Sequence, residues 1–507
     1  MTRAEHSPAG DVEQLKALGY ATSFERSMSL WANFSLGFTY LSPVVGVYTL
    51  FTYALATAGP PMFWSYLLVG IGQFLVCLVF AEVVSQYPIA GGVYPWARRL
   101  IGKKWAWMVA WIYIWALCAT IAGVAIGAGP YLGALLGFEV STETSTLVGI
   151  VLVTITTILN LGGTKLLARV AVLGFLAELG GAIVVGAYLL LFERHQSIGV
   201  LFDTFEIGAT TSYWPAFLAG ALAGIFQYYG FEACGDLAEE VPDPSRRIPK
   251  AMRMTIYIGG AAAMFVCVAL ILAVPDIGKV IAGEDTDAVG TLLVTAFGPI
   301  GAKLVLVVVM ISFVSCLLSL QAAASRLLFS FARDKMIFAS SALQSLSTSR
   351  IPYVALIVCG VVPAVMTLVG LGVADALTLV VSFAAIGIYL AFQMIVLGAL
   401  VARIRGWRPS GQFRLGAWGP IVTVLALSYG VVAVLNMAWP RAPEAPWYIN
   451  YAMVVMTIGV VASGLVYLWL FKPHERSIAP SGDAARSATD GRSVVPSREA
   501  VRPAANA

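Results

Sequence analysis

Runs of about twenty apolar residues recur along almost the whole chain, and a bilayer core asks for that length in each helix. This pattern leaves few folds open. In lipid every backbone N–H and C=O must be satisfied internally, so a spanning chain is either helical or a closed barrel. A barrel needs short alternating segments, and none are found. Of the 507 residues 59% are hydrophobic and only 11% charged, about half the charged share of a typical soluble domain. The expectation is an all-α polytopic membrane protein.

Twelve transmembrane helices are expected, near residues 30–58, 62–87, 104–136, 146–163, 168–192, 213–240, 252–275, 303–332, 351–371, 376–400, 417–439 and 447–471. The start is polar and acidic (Glu5, Asp11, Glu13), with no cleavable leader pattern, so the run from Leu30 is read as an uncleaved first span. The last residues, 473–507, are rich in Ser, Ala, Arg and Pro and are expected to be disordered. All six cysteines fall inside spans, as small apolar packers with no disulfide framework. With the N-terminus inside, all but four of the 31 lysines and arginines face inward; the exceptions are Arg194, Lys279, Lys303 and Arg441. That bias places both termini in the cytoplasm of a multi-pass plasma-membrane protein.

Two spans look interrupted. The first reads SLGFTYLSPVVGVYTLF, with Ser42, Pro43 and Gly46 in its middle, and the sixth reads AGIFQYYGFEACGDLAEE, with Gly230 in a similar place. Proline removes a backbone donor and clashes with the preceding turn. Broken helices at matching places in two halves point to an inverted-repeat transporter with its site between them.

At this point several stretches resemble a known family. AEVVSQYPIAGGVYPWA (81–97), GFEACGDLAEEVPDPSRRIPKAM (230–252) and ASRLLFSFARDK (324–335) are similar to the second, sixth and eighth helices of amino acid–polyamine–organocation permeases. LNLGGTKLLARV (159–170) with ELGG (178–181) is similar to the amino acid/choline branch, which includes carriers of γ-aminobutyrate and choline. The resemblance spans most of residues 25–400. It implies a LeuT-like five-plus-five inverted repeat with two accessory helices: a cytoplasmic segment (1–28), two five-helix repeats (29–193 and 194–402), accessory helices (403–472) and the tail. It also implies secondary transport of amino acids or related amines such as γ-aminobutyrate, by alternating access.

The breaks suggest how substrate would be held. The N-terminal end of a half-helix carries partial positive charge and the C-terminal end partial negative charge. Backbone donors around Ser42, Pro43, Val44, Val45 and Gly46 would hold a carboxylate. Carbonyls near Phe226, Gln227, Tyr229 and Gly230 would hold an amine. The resemblance gives Phe226 the place of an aromatic gate over the substrate.

Acids at membrane depth are functional hypotheses by default. Burial disfavours the charge of Glu232, just after the break, whereas a helix N-terminus favours it, and opposed effects of this kind suit proton exchange. Some relatives carry an acid there. Glu178 lies about 15 Å into the fifth span. Some proton-coupled relatives have a lysine in that helix; here only Lys165 and Arg169 stand at its inner mouth, so Glu178 is read either as a proton carrier or as structural. Positions 232, 236, 239 and 240 fall at i, i+4, i+7 and i+8, which places them on one helix face running towards the cytoplasm. Asp236 would then line an inward exit, and Glu239 and Glu240 would pair with Arg98 or Lys103 or sit solvated. Glu82 is expected to pair with a basic loop residue. Ser312, Ser315 and Ser319 share a face of the eighth span, where Ser315 and Ser319 could complete a sodium site or simply pack. Tyr113 and Tyr389 are weaker pocket candidates.

The three histidines lie in termini or loops, with no HExxH pattern or cysteine–histidine cluster at depth, so no enzyme, metal or cofactor is expected, nor a nucleic-acid partner. Charge rings and filter loops that mark channels are not found. The buried acids favour proton symport driven by an ion gradient. Antiport, sodium coupling, choline or polyamine as substrate, and a carrier-derived sensor stay open, as does the oligomeric state.

Overall fold

Helix is the state that satisfies a lipid-embedded backbone within one segment, and helices form at all the long apolar runs. The computed structural model describes residues 8–209, 212–372 and 376–484. Among them eleven helices are long and apolar enough to span a bilayer, and the sixth span adds a shorter one, Trp214–Gln227. The central spans are the first, third, sixth, eighth and tenth. Of the most apolar stretch of the third span 78% is buried, against 6% in the twelfth. The fifth span, Thr164–Phe192, turns Leu173, Leu176 and Val184 outward, as a lipid-facing perimeter helix should.

Both expected breaks are present. The first span is two helices, Leu30–Leu41 and Pro43–Ala58, joined at Ser42, whose φ of 44° is left-handed. Proline begins the second half, where its missing N–H is harmless. The sixth span stops at Gln227 and resumes as Ala233–Asp236 after Gly230, at φ 109°.

Two expectations are corrected. The acids after the sixth-span break do not share a helix face: the helix ends at Asp236 and a 3-10 turn, Ala238–Glu240, redirects the chain. The eighth span begins close to the expected 303, at Pro299, where a kink at Gly298 (φ 66°) separates it from a preceding helix that starts at Ala288. The start of the tail is ordered. Pro473–Arg476 is helical, and the Gly482 N–H donates to the Arg98 carbonyl at 2.8 Å. Asp483 pairs with Arg99, and Lys103 donates to the Ser477 carbonyl. Residues 485–507 of the tail lie outside the described residues, as do residues 1–7. All six cysteines are free and buried.

Candidate functional site

The two breaks lie side by side at the centre of the molecule. At Gly46 a Cβ would stand 2.2 Å from the Gln227 Oε1, so the first span lacks a side chain where the sixth presses against it. The Gln227 amide reaches back and donates to the carbonyls of Leu41 (3.0 Å) and Ser42 (3.4 Å). Carbonyls left unpaired at the end of the inner half-helix are thus met by a side chain of the sixth span.

Two buried acids each cap a break. Glu178 Oε1 accepts the Ser42 hydroxyl at 2.6 Å and the Val44 N–H at 3.0 Å. Glu232 accepts the Gly230 N–H at 2.8 Å and the Tyr113 hydroxyl at 2.9 Å. Both acids are fully buried. Asp236 is also fully buried, and neither of its oxygens has a hydrogen-bond partner. No ion pair joins any of the three to a cation among the described residues.

A cavity of about 180 Å³ fills the space between the breaks and the third, eighth and tenth spans. Ser42, Val45, Gly46, Phe226 and Tyr229 line it. Pro43, Val44, Gln227 and Gly230 are not in the lining; Val44, Gln227 and Gly230 make the ties just described. Among the described residues no charged side chain lines the cavity. Sequence reasoning missed Tyr40, Thr120, Phe313 and Cys316, which complete the wall. Helical spacing within three separate spans gives no signal that they converge. Tyr389 is not in the wall. Its hydroxyl donates to the Ile225 carbonyl at 3.2 Å and holds the last turn before the break.

The candidate ion-site serines are engaged within the protein. Ser319 Oγ lies 2.8 Å from Thr39 Oγ1, and Ser315 donates to the Ile311 and Ser312 carbonyls of its own helix.

The two faces of the site differ. On the face away from the termini a vestibule of about 1020 Å³ shares Thr49 and Gly127 with the inner cavity. Tyr48, Tyr131, Asp287 and Lys303 are among its walls. Towards the termini the path is shut by three ion pairs. Arg326 grips Glu240 with contacts of 2.8 and 3.3 Å, and Thr164 Oγ1 donates to the same carboxylate at 2.5 Å. Arg333 pairs with Glu239 at 2.9 Å. Arg98 pairs with Asp334, which also accepts the hydroxyls of Tyr94 (2.8 Å) and Tyr20 (3.0 Å). The expected pairing of Glu239 and Glu240 with Arg98 or Lys103 is therefore corrected, as is the solvated reading of Glu240, which is fully buried. The end of the eighth span supplies the cations because it crosses directly over the sixth-span turn. Glu82 pairs with Arg403 and accepts the Leu415 N–H at 2.8 Å, as expected of a structural acid.

Ser42 both donates to Glu178 and accepts the Val45 N–H at 3.3 Å. Ser42→Ala is expected to lower stability by about 1–3 kcal/mol, the range for a lost cap and a hydrogen bond to a charged group. Ser42→Asn, a capping residue that tolerates φ > 0, should recover part of the loss. Thermal unfolding of the purified protein in detergent checks both.

The amino acid permease family pattern matches residues 28–461. The chain is 26% identical over 499 residues to the amino-acid permease BAT1 of Arabidopsis thaliana, covering 92% of this chain and 95% of that protein. It is 24% identical over 502 residues to a BAT1 homologue of Oryza sativa subsp. japonica, covering 91% and 95%. It is 27% identical over 300 residues to the serine/threonine exchanger SteT of Bacillus subtilis (strain 168), covering 58% of this chain and 65% of the exchanger.

Proposed function

The chain belongs to the amino acid permease family, and from that premise we propose that it is a proton-coupled symporter of small amino acids or related amines. The observation that carries this reading is the cavity at two broken helices, with a vestibule beside it on one face and ion pairs towards the other. One-sided access to a mid-membrane site is what alternating access requires. The inner-side excess of lysine and arginine puts the closed face in the cytoplasm and the vestibule outside the plasma membrane. A cavity of about 180 Å³ suits substrates the size of serine, threonine or γ-aminobutyrate. Protons are favoured as the driving ion because three fully buried acids, Glu178, Glu232 and Asp236, have no paired cation. An unpaired buried carboxylate is relieved by taking up a proton. The candidate sodium ligands, by contrast, already bond to Thr39 or to their own helix. Glu232 ties the sixth-span break to the third span, and Asp236 lies one turn further towards the closed face.

Proteoliposomes holding the full chain test this. Labelled γ-aminobutyrate, L-serine or L-threonine should accumulate against its gradient when the outside is acidic. An uncoupler should abolish the accumulation, and replacing sodium should not. Equilibration without accumulation would mean a passive pathway. Dependence on sodium rather than protons would mean the coupling ion is wrong. Glu232→Gln should change the pH dependence of uptake; unchanged pH dependence and affinity would remove Glu232 from coupling.

A further inference from the structure

The half-helix end that would receive a substrate carboxylate is already filled by one. Four residues open the outer half of the first span. Pro43 has no N–H. The Val44 N–H donates to Glu178 Oε1 at 3.0 Å. The Val45 N–H donates to Ser42 Oγ at 3.3 Å, and the Gly46 N–H to the Ser42 carbonyl at 3.0 Å. The Ser42 hydroxyl donates to the same Glu178 oxygen at 2.6 Å. No donor of that turn is spare. The Val45 and Gly46 bonds belong to the turn itself, so Glu178 is the one partner that can be exchanged without unwinding the helix.

Glu178 is built to be exchanged. Its Oε2 is buried and has no hydrogen-bond partner. Cations stand far from it along its own helix: Lys165 and Arg169 lie at least nine residues away, about 13 Å or more at the helical rise. The elements packed on the fifth span add few titratable groups. The first span brings Tyr40, Tyr48 and Tyr53, the fourth Glu143 and the seventh Arg246, Arg247, Lys250, Arg253, Tyr257 and Cys267. The eighth brings Cys316, which interacts with Glu178 electrostatically, with Lys303 near one end and Arg326 and Arg333 near the other. None of these cations is ion-paired with Glu178. Ser42 belongs both to this bonded group and to the cavity wall.

We propose that Glu178 is an internal stand-in for the substrate carboxylate, and that the two change places at the first-span break as Glu178 takes up one proton. This rests on the amino acid reading above. The proton comes from water in the vestibule and adds to Oε2. The neutral carboxyl no longer gains from the positive helix end and releases the Val44 N–H and the Ser42 hydroxyl. The substrate carboxylate accepts both. The helix end faces one negative charge before and after the exchange. When the substrate leaves on the other side, Glu178 gives its proton to water there and recaps the helix. One proton thus accompanies each carboxylate. An amine lacking a carboxylate has nothing to exchange and binds without this step. The sign follows: acid favours protonated Glu178, so carboxylate-bearing substrates bind more tightly at low pH and weaken as pH rises.

The test compares L-serine with ethanolamine, its carboxyl-free counterpart, as ligands of the full chain in nanodiscs. Wild-type affinity for L-serine should fall by up to about tenfold per pH unit above the ionisation of Glu178, while ethanolamine affinity stays flat. Glu178→Gln should bind L-serine with no such slope, whereas Glu143→Gln, at an exposed acid of the fourth span, should keep it. A slope that survives in Glu178→Gln, or equal slopes for the two ligands, overturns the proposal. A second arm needs no substrate: infrared difference spectra between mildly acidic and alkaline buffer should contain a protonated-carboxyl band that Glu178→Gln lacks. If that band is the same in both proteins, Glu178 does not titrate and the proposal fails, even if serine binds. If the band behaves as expected but neither ligand binds, it is the amino acid reading that fails.

Discussion

Gly230→Ala should abolish uptake and lower the thermal midpoint more than any other glycine substitution at the site. Two effects add. Gly230 holds φ at 109°, a conformation an L side chain adopts only with strain. A Cβ there would also stand 2.7 Å from the Leu41 backbone nitrogen and 3.1 Å from the Tyr40 carbonyl carbon. Backbone cannot step aside as a flexible side chain can, so the two breaks would be pushed apart. Strain of about 1–2 kcal/mol and overpacking of about 1–3 kcal/mol together are a large share of a membrane domain's stability. The separation would also pull Gln227 off the Leu41 carbonyl and Glu232 off the Gly230 N–H. Gly180→Ala is the matched control. It lies mid-helix in the fifth span with nothing within 4 Å of the added methyl, so stability and uptake should stay near wild type. Thermal unfolding and proteoliposome uptake of both variants measure this. A Gly230→Ala protein with a wild-type midpoint would mean that the breaks do not need their close contact.

Arg326→Ala is expected to have the second large effect. The Arg326 and Glu240 side chains are each 1% exposed. Removing the cation leaves a buried carboxylate held only by the Thr164 hydroxyl, and breaking a buried pair in this way costs about 3–5 kcal/mol. The pair also bridges the sixth-span turn and the eighth span on the closed face, so the surviving protein should open there. A cysteine at Ser325, next to Arg326 and fully buried in the parent, should become reactive to a water-soluble thiol reagent from the terminal side. Arg326→Met with Glu240→Leu removes both charges and should recover much of the midpoint while leaving Ser325 accessible. Recovery of stability together with a closed face would show that packing, not the ion pair, holds the gate.

Much of the fold can be read from the chain because lipid imposes one rule on every segment. Apolar runs near twenty residues had to become helices, and Ser42–Pro43 and Gly230 had to interrupt two of them. The depth of Glu178 and Glu232 also followed from position alone, since rise per residue converts sequence to distance. Their partners did not. Nothing near Glu178 in the chain names Ser42 or Val44, which lie more than 130 residues away. The gate pairs misled for the same reason. Glu239 and Glu240 were matched to basic residues of a nearby loop, yet Arg326 and Arg333 lie over the turn because the eighth span crosses it. The acid stripe failed locally: periodicity assumes an unbroken helix, and the chain turns after Asp236.

The sequence by itself therefore determined the solvent, the helices, the two breaks and which acids lie at membrane depth. Each of these follows from local chemistry: hydropathy, proline and glycine geometry, and the penalty for charge in hydrocarbon. Only the tertiary structure decided what each acid does. Glu178 and Glu232 cap broken helices, Glu239 and Glu240 lock the face near the termini, and Asp236 is left without a partner. Buried hydrogen bonds and ion pairs form between whichever groups the packing of distant helices brings within 3 Å or so. That packing is a property of the assembled bundle, and no single segment carries it.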